Sequence, residues 1–148
     1  MDHVFLSARI FIPAIWIGMI IAIDLLEAPL KFTAPGITIP LGLGIGRRVF
    51  TAMNIVEVLL AIALLIAVIA TRDTSPLWGL VGGIIGLLVI KIAVIRPLLN
   101  ARTEAVLAGT AAPGSSTHLF YIALDAVLFV TLIVYSVMQA RVLVNPPA

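Results

Sequence analysis

The stretch "VFTAMNIVEVLLAIALLIAVIA", residues 49–70, decides what kind of chain this is. It stays mostly apolar for the roughly 20 residues a helix needs to cross a bilayer. A membrane barrel strand would be about half as long and would alternate apolar with polar, which this run does not do. Lipid also requires a spanning segment to satisfy its own backbone hydrogen bonds, as a helix does. Two polar side chains, Asn54 and Glu57, interrupt the first half of the run. A span that carries a carboxyl group must have somewhere to put it.

Working outward, three more runs of this kind appear. Downstream, "TRDTSP" makes a compact polar turn, and residues Leu77 to Ile95 then form a span closed by Arg96 and Pro97. The Ala/Gly/Ser/Pro-rich connector "AGTAAPGSSTH" reads as a loop. Leu119 to Ala140 follows it, closed by Arg141 and the tail "VNPPA". Upstream, Val4 to Leu26 is the first span. The expected fold is all-α: one polytopic four-helix transmembrane bundle over residues 1–148, with spans at about 4–26, 49–70, 77–95 and 119–140.

Composition supports the bilayer as solvent. Of 148 residues, 62% are apolar and only 11% charged, and the mean hydropathy is +1.24. A soluble domain is nearer half apolar and a quarter charged. The chain has no cysteine, which excludes disulfides, zinc–thiolate sites, iron–sulfur clusters and thiol catalysis. Its two histidines, His3 and His118, are too few for a self-contained histidine metal site. The net charge of +2 is small and the basic residues are dispersed, so no nucleic-acid footprint is present. The opening "MDHVFLSAR" carries an acid before any base, and no small-x-small cleavage pattern follows. The first span is therefore read as retained rather than as a signal peptide.

Alternating span directions place the charges. Both termini and the 71–76 turn fall on one side, and the 27–48 and 96–118 connectors on the other. That second side holds Lys31, Arg47, Arg48, Arg96 and Arg102, with Lys91 close by, against Arg9, Arg72 and Arg141 on the first. The positive-inside rule then puts the connectors in the cytoplasm and both termini outside, with a bacterial inner membrane as the expected location. Arg9 near the N-terminus argues the opposite way. Asp24, Glu27, Lys31, Asn54, Glu57, Lys91, Arg96, His118, Tyr121 and Asp125 all lie in the connector-side half of the bilayer.

Within that half, "EAPLKFTAPG" (27–36) reads as the rim of a polar pocket, with Pro29 and Pro35 restricting the backbone on either side of Lys31. If the first helix continues past Asp24, then Asp24, Glu27 and Lys31 share a face. The stretch after it, "ITIPLGLGIGRRVF", is too apolar for a water-exposed loop and is expected in the interface or dipping into the protein. Helical spacing groups Arg47, Thr51 and Asn54, with Glu57 close by. It also groups His118, Tyr121, Asp125, Ser136 and Gln139 within a sector about 60° wide. Polar faces should point into the bundle. Glu57 and Asp125 are expected to pair with Lys91 or Arg96.

These groups admit two readings. They pin helix register, or they form an ion or substrate pocket; intramembrane ionisable residues are usually functional. The leading functional reading is transport or permeation of an ion or small solute, protons included, through Glu57, Asp125 and His118. An accessory or scaffolding subunit of a larger membrane complex is the alternative. A third reading is a quinone- or haem-binding redox protein, in which His118 offers one axial ligand and Tyr121 or a second subunit the other. No cofactor is required by the sequence. "GLGIG" (42–46) lacks the preceding strand and the Gly-Lys-Ser/Thr of a phosphate loop, so a closely packed helix start is the better reading. Gly79/Gly83 and Gly82/Gly86 each form a GxxxG pattern, for packing inside the subunit or for a homo-oligomer. Trp16 and Trp78 read as packing or interfacial anchors.

Several short motifs together resemble a known family. They are the mid-helix Trp16-x-Gly18, then Pro29 to Phe32, then "IGRRVF" (45–50) opening the second span, and His118 at the start of the last helix. The family consists of small four-helix membrane proteins of unknown function, with bacterial members and a eukaryotic relative associated with platinum-drug resistance. The resemblance covers most of the chain and implies the fold and the membrane, but no activity. Asp125 stands where that family would be expected to carry an asparagine.

Overall fold

The computed structural model describes residues 2–71, 77–111 and 116–144. The turn at 72–76, most of the 108–118 connector's centre and the last four residues lie outside the described residues. Four helical rods make up the fold: α1 (His3–Thr33), α2 (Ile39–Ala70), α3 (Leu77–Leu107) and α4 (Ser116–Val144). All four are long and apolar enough to cross a membrane, and no strand occurs among the described residues. The fold is the expected all-α four-helix bundle. α1 packs against both α2 and α4, and α3 closes the ring against α4 and α2.

The rods are longer than the apolar runs. α1 continues through Glu27, Pro29 and Lys31, and its last turn, Lys31–Thr33, is a 3-10 turn. The connector before α2 shrinks to Ala34–Thr38. Ala34 is extended (φ −67°, ψ 135°), as a residue before proline tends to be. Gly36 takes a left-handed conformation (φ 78°) that few other residues accept. Thr38 then caps α2, its hydroxyl accepting from the Leu41 N–H at 3.3 Å, with Pro40 in the first turn where its missing N–H costs nothing. Thus "EAPLKFTAPG" is mostly helix, and nearly all of "ITIPLGLGIGRRVF" forms the first turns of α2.

The helix that carries the third span does not stop at Arg96–Pro97: α3 runs on to Leu107. An interior proline removes one helical hydrogen bond, and its ring collides with the carbonyl four residues back. Both α1 and α3 accommodate this with a wide π turn directly ahead of the proline: Ile21–Glu27 before Pro29, and Lys91–Ile95 before Pro97. In each case the residue before the proline donates its N–H five residues back, Ala28 to the Ile23 carbonyl and Arg96 to the Lys91 carbonyl. The two π turns carry Asp24 and Lys91.

The core is a column of Trp16, Met53, Leu64, Ile84, Leu128, Leu132 and Tyr135. The outer surface is just as apolar, with Phe11, Ile55, Leu59, Ile62, Val89 and Val130 exposed. This is what lipid, but not water, tolerates on a helix face. Gly79, Gly82, Gly83 and Gly86 belong to that outer surface. A Cβ built on any of them would meet nothing within 4 Å, so they do not serve packing against the described part of their own subunit.

Candidate functional site

The site is built around one ammonium group. Lys91, at the start of the α3 π turn, is completely buried. Its Nζ lies 2.9 Å from Glu57 Oε1 and 2.8 Å from Glu57 Oε2, and it also donates to Asp125 Oδ1. Glu57 is 0% and Asp125 2% exposed. Trp16 Nε1 donates to Glu57 Oε1 at 3.1 Å. Asp24, half-buried on the π turn of α1, stands beside this cluster. α2, α3 and α4 therefore each contribute one ionisable side chain to a single buried point, and α1 contributes the Trp16 indole.

Helix geometry explains the convergence. Met53, Asn54, Glu57, Ala61 and Leu64 recur at the three- and four-residue spacing of one face of α2, and all are buried. Tyr121, Asp125, Leu128, Leu132, Tyr135 and Gln139 do the same on α4. A charge on either face can reach only the bundle interior. Snorkelling would have let Lys91 escape to the interface; the two carboxylates hold it inside instead.

Above this cluster, toward the Lys31 end, Tyr121 donates its hydroxyl to Asn54 Oδ1 at 3.0 Å. Its ring lies under the Lys91 ammonium, 5.0 Å from Nζ to the centroid. Phe50 meets the Tyr121 ring edge-on, with centroids 5.3 Å apart and planes at 72°. On the other side of Phe50 a cavity of about 250 Å³ opens, lined among others by Lys31, Phe32, Gly46, Arg47, Arg96, Arg102 and His118. Lys31 pairs with Glu27 at 3.2 Å, and Arg47 pairs with Glu104 at 2.7 Å. Arg96 Nη2 donates to the Arg47 carbonyl at 2.7 Å and to Thr51 Oγ1 at 2.6 Å.

The eleven residues expected in one pocket thus separate into two layers. Asp24, Asn54, Glu57, Lys91, Tyr121 and Asp125 make the deep layer. Glu27, Lys31, Arg47, Arg96 and His118 belong to the outer one, with Phe50 and Tyr121 between. Of the two candidate cations, Lys91 takes both carboxylates, and Arg96 stays in the outer layer. His118 lines the outer cavity while the Tyr121 hydroxyl is engaged with Asn54 below, so the structure does not bring those two side chains to one cavity.

Sequence reasoning missed three features. Trp16 was assigned to packing, yet its indole N–H is a partner of Glu57. The close packing expected of the "GLGIG" helix start is present, but its partners on α1 were not foreseen: a Cβ on Gly46 would stand 2.8 Å from Lys31 Nζ, and one on Gly42 would strike the Phe32 ring. The third is a polar layer at the opposite end of the bundle, where buried Arg9 donates to Thr71 Oγ1 at 3.0 Å and to Gln139 Oε1 at 2.6 Å. Ser136, expected on the same stripe, turns its hydroxyl back to the Leu132 carbonyl at 2.8 Å. No group of three or more His, Cys, Asp or Glu able to hold a metal occurs among the described residues.

No family model, curated protein or solved structure matches the chain, so function is argued from this geometry.

Proposed function

We propose that the protein moves protons through the bundle, alone or coupled to an anionic solute, using the Asp24, Glu57, Lys91 and Asp125 cluster. The observation that carries this reading is the charge balance. Two fully buried carboxyl groups, Glu57 and Asp125, meet one buried ammonium, and the half-buried carboxyl of Asp24 lies on the adjoining turn of α1. If Glu57 and Asp125 were both ionised, the buried cluster would hold one formal negative charge beyond what Lys91 offsets, with Asp24 adding to it from the side, and uncompensated buried charge is strongly unfavourable. Protons neutralise it without needing volume, and two adjacent buried carboxyls commonly share one.

The outer cavity favours protons over metal cations. Lys31, Arg47, Arg96 and Arg102 line it, so a sodium or potassium ion entering there is repelled, while a proton can pass along water and hydroxyl groups. Tyr121 and Asn54 are the first polar groups between cavity and cluster. Beyond the cluster, Leu64, Ile84, Leu128 and Leu132 fill the core before Arg9 and Gln139 are reached. The described conformation is therefore occluded, and turnover requires movement. The π turns of α1 and α3, each followed by a proline, are the natural flexing points.

A scaffolding role is the second reading, favoured by the outward-facing glycines of α3. The two readings part at Asp24, which has no ion pair with Lys91. In liposomes carrying an internal pH dye, Asp24→Asn should fold normally and abolish proton entry under an applied gradient. If the charges only hold the bundle together, Asp24→Asn conducts like the parent, or the parent conducts no better than empty liposomes, and the transport reading falls.

A further inference from the structure

The proton reading uses only the overall positive charge of the outer cavity, not how that charge is compensated or the aromatic wall beside it. Its wall charges are unequally compensated. Lys31 and Arg47 each have a carboxylate, Glu27 and Glu104. Arg96 is buried, 7% exposed, and its guanidinium meets only a carbonyl and a hydroxyl among the described residues. A buried cation without a counter-charge is costly to keep, and a guanidinium is the side chain best suited to grip a phosphate oxygen. Part of the wall is apolar, with Phe32, Leu43, Phe50, Leu99 and Val106 lining the same space beside the polar Asn100, Thr103 and His118.

Access for Lys31 is built in as well. Its ammonium lies 5.6 Å from the Phe32 centroid and 5.5 Å from the Phe50 centroid. It reaches this position only because Gly46 has no side chain: a Cβ there would come within 2.8 Å of Nζ. A free inorganic anion would use the cations and waste the aromatic wall. An apolar tail alone would leave Arg96 without a counter-charge. A molecule with a phosphate head and a hydrocarbon tail satisfies both, and the bilayer around four such apolar helices supplies molecules of that kind.

We infer that the cavity bounded by Lys31, Arg96, Phe32 and Phe50 is a binding site for the phosphate head of an anionic amphiphile, with the head on Arg96 and Lys31 and the start of the tail along the two rings. The assignment rests on different side chains from the proton cluster and stands or falls separately from it.

The test is native mass spectrometry and thermal unfolding of the delipidated protein in neutral detergent. The probes are phosphatidylglycerol, phosphatidylcholine with the same acyl chains, and inorganic phosphate. Phosphatidylglycerol should be retained at least tenfold more tightly than phosphatidylcholine and should raise the unfolding temperature, while inorganic phosphate should not. Arg96→Met should weaken retention at least tenfold. Because Arg96 also ties α3 to α2, Lys31→Met and Gly46→Val provide independent variants with the same expected loss. Equal retention of the two lipids overturns the inference, as does unchanged binding by folded Lys31→Met. Stabilisation by inorganic phosphate equal to that by the lipid would make this a free-anion site and overturn the amphiphile.

Discussion

Replacing Lys91 by methionine should be the most damaging single change in the bundle, and more damaging than removing either of its carboxylate partners. Methionine is unbranched and fills much the same space, so the effect is mainly one of charge. In the parent, the ammonium faces Glu57 at 2.8–2.9 Å and also Asp125, with essentially no exposure on any of the three. Lys91→Met leaves two carboxylates facing each other without their cation, and breaking a buried pair in this way costs about 3–5 kcal/mol. Glu57→Gln is different, because Asp125 stays on Lys91 and the glutamine oxygen still accepts from Trp16. The loss is one charge-assisted hydrogen bond, about 1.5–3 kcal/mol, exchanged for a neutral one of about 0.5–1.5, or a net cost of about 1–2 kcal/mol.

The triple variant Lys91→Met, Glu57→Gln, Asp125→Asn removes the orphan charges and should recover part of the Lys91→Met loss. Equilibrium unfolding in mixed micelles of increasing dodecyl sulfate fraction ranks the three. The expected order of stability is Glu57→Gln, then the triple variant, then Lys91→Met. A Lys91→Met protein within about 1 kcal/mol of the parent, the range of an ordinary substitution, would refute the argument. So would a Glu57→Gln variant as unstable as Lys91→Met.

Three further outcomes follow from other parts of the molecule. Gly83→Leu meets open space, so it should leave the unfolding of a monomer undiminished while dissociating any oligomer held by the α3 glycines; size-exclusion chromatography with light scattering reads both. Gln139→Leu removes one acceptor from buried Arg9 and should cost about 1–3 kcal/mol in the same micelle titration; a neutral result would mean that Thr71 and the backbone suffice. Cysteines placed singly at Asp73 and Ser115, both outside the described residues, should react with an impermeant maleimide from opposite faces of the membrane, and labelling of both from one face would break the four-span topology.

How much of this was legible in the sequence depends on which property each feature rests on. The four spans were legible because hydropathy over about 20 residues is a sum that no single residue can overturn. The deep cluster was half legible. Alternating span directions put Glu57, Lys91 and Asp125 at one depth, and the three- and four-residue spacing put Glu57 and Asp125 on inward faces. Depth alone could not choose between Lys91 and Arg96, since both cations have stems long enough to reach. That choice is made by the π turn at Lys91–Ile95, which sets the direction in which Lys91 leaves its helix.

The π turns are also why the helices outrun the apolar runs. A proline in an apolar run is ordinarily a stop signal, and Pro97 was read as one. The rule assumes that the chain has an alternative to continuing. Near a membrane surface, ending the helix leaves carbonyl groups without donors, whereas widening one turn preserves most of the ladder and lets the proline ring pass. The same solution occurs at Pro29 and Pro97, and in each case the wide turn carries an ionisable residue of the cluster, Asp24 or Lys91. The signal that could have revealed this is the pairing itself: a buried-depth charge followed five or six residues later by a proline, in two separate spans. Read that way, the prolines mark where α1 and α3 deliver their charges to the bundle centre, and replacing Pro97 by alanine should let the ordinary α ladder close, turn Lys91 away from Glu57 and Asp125, and cost more stability than the gain in helix propensity returns.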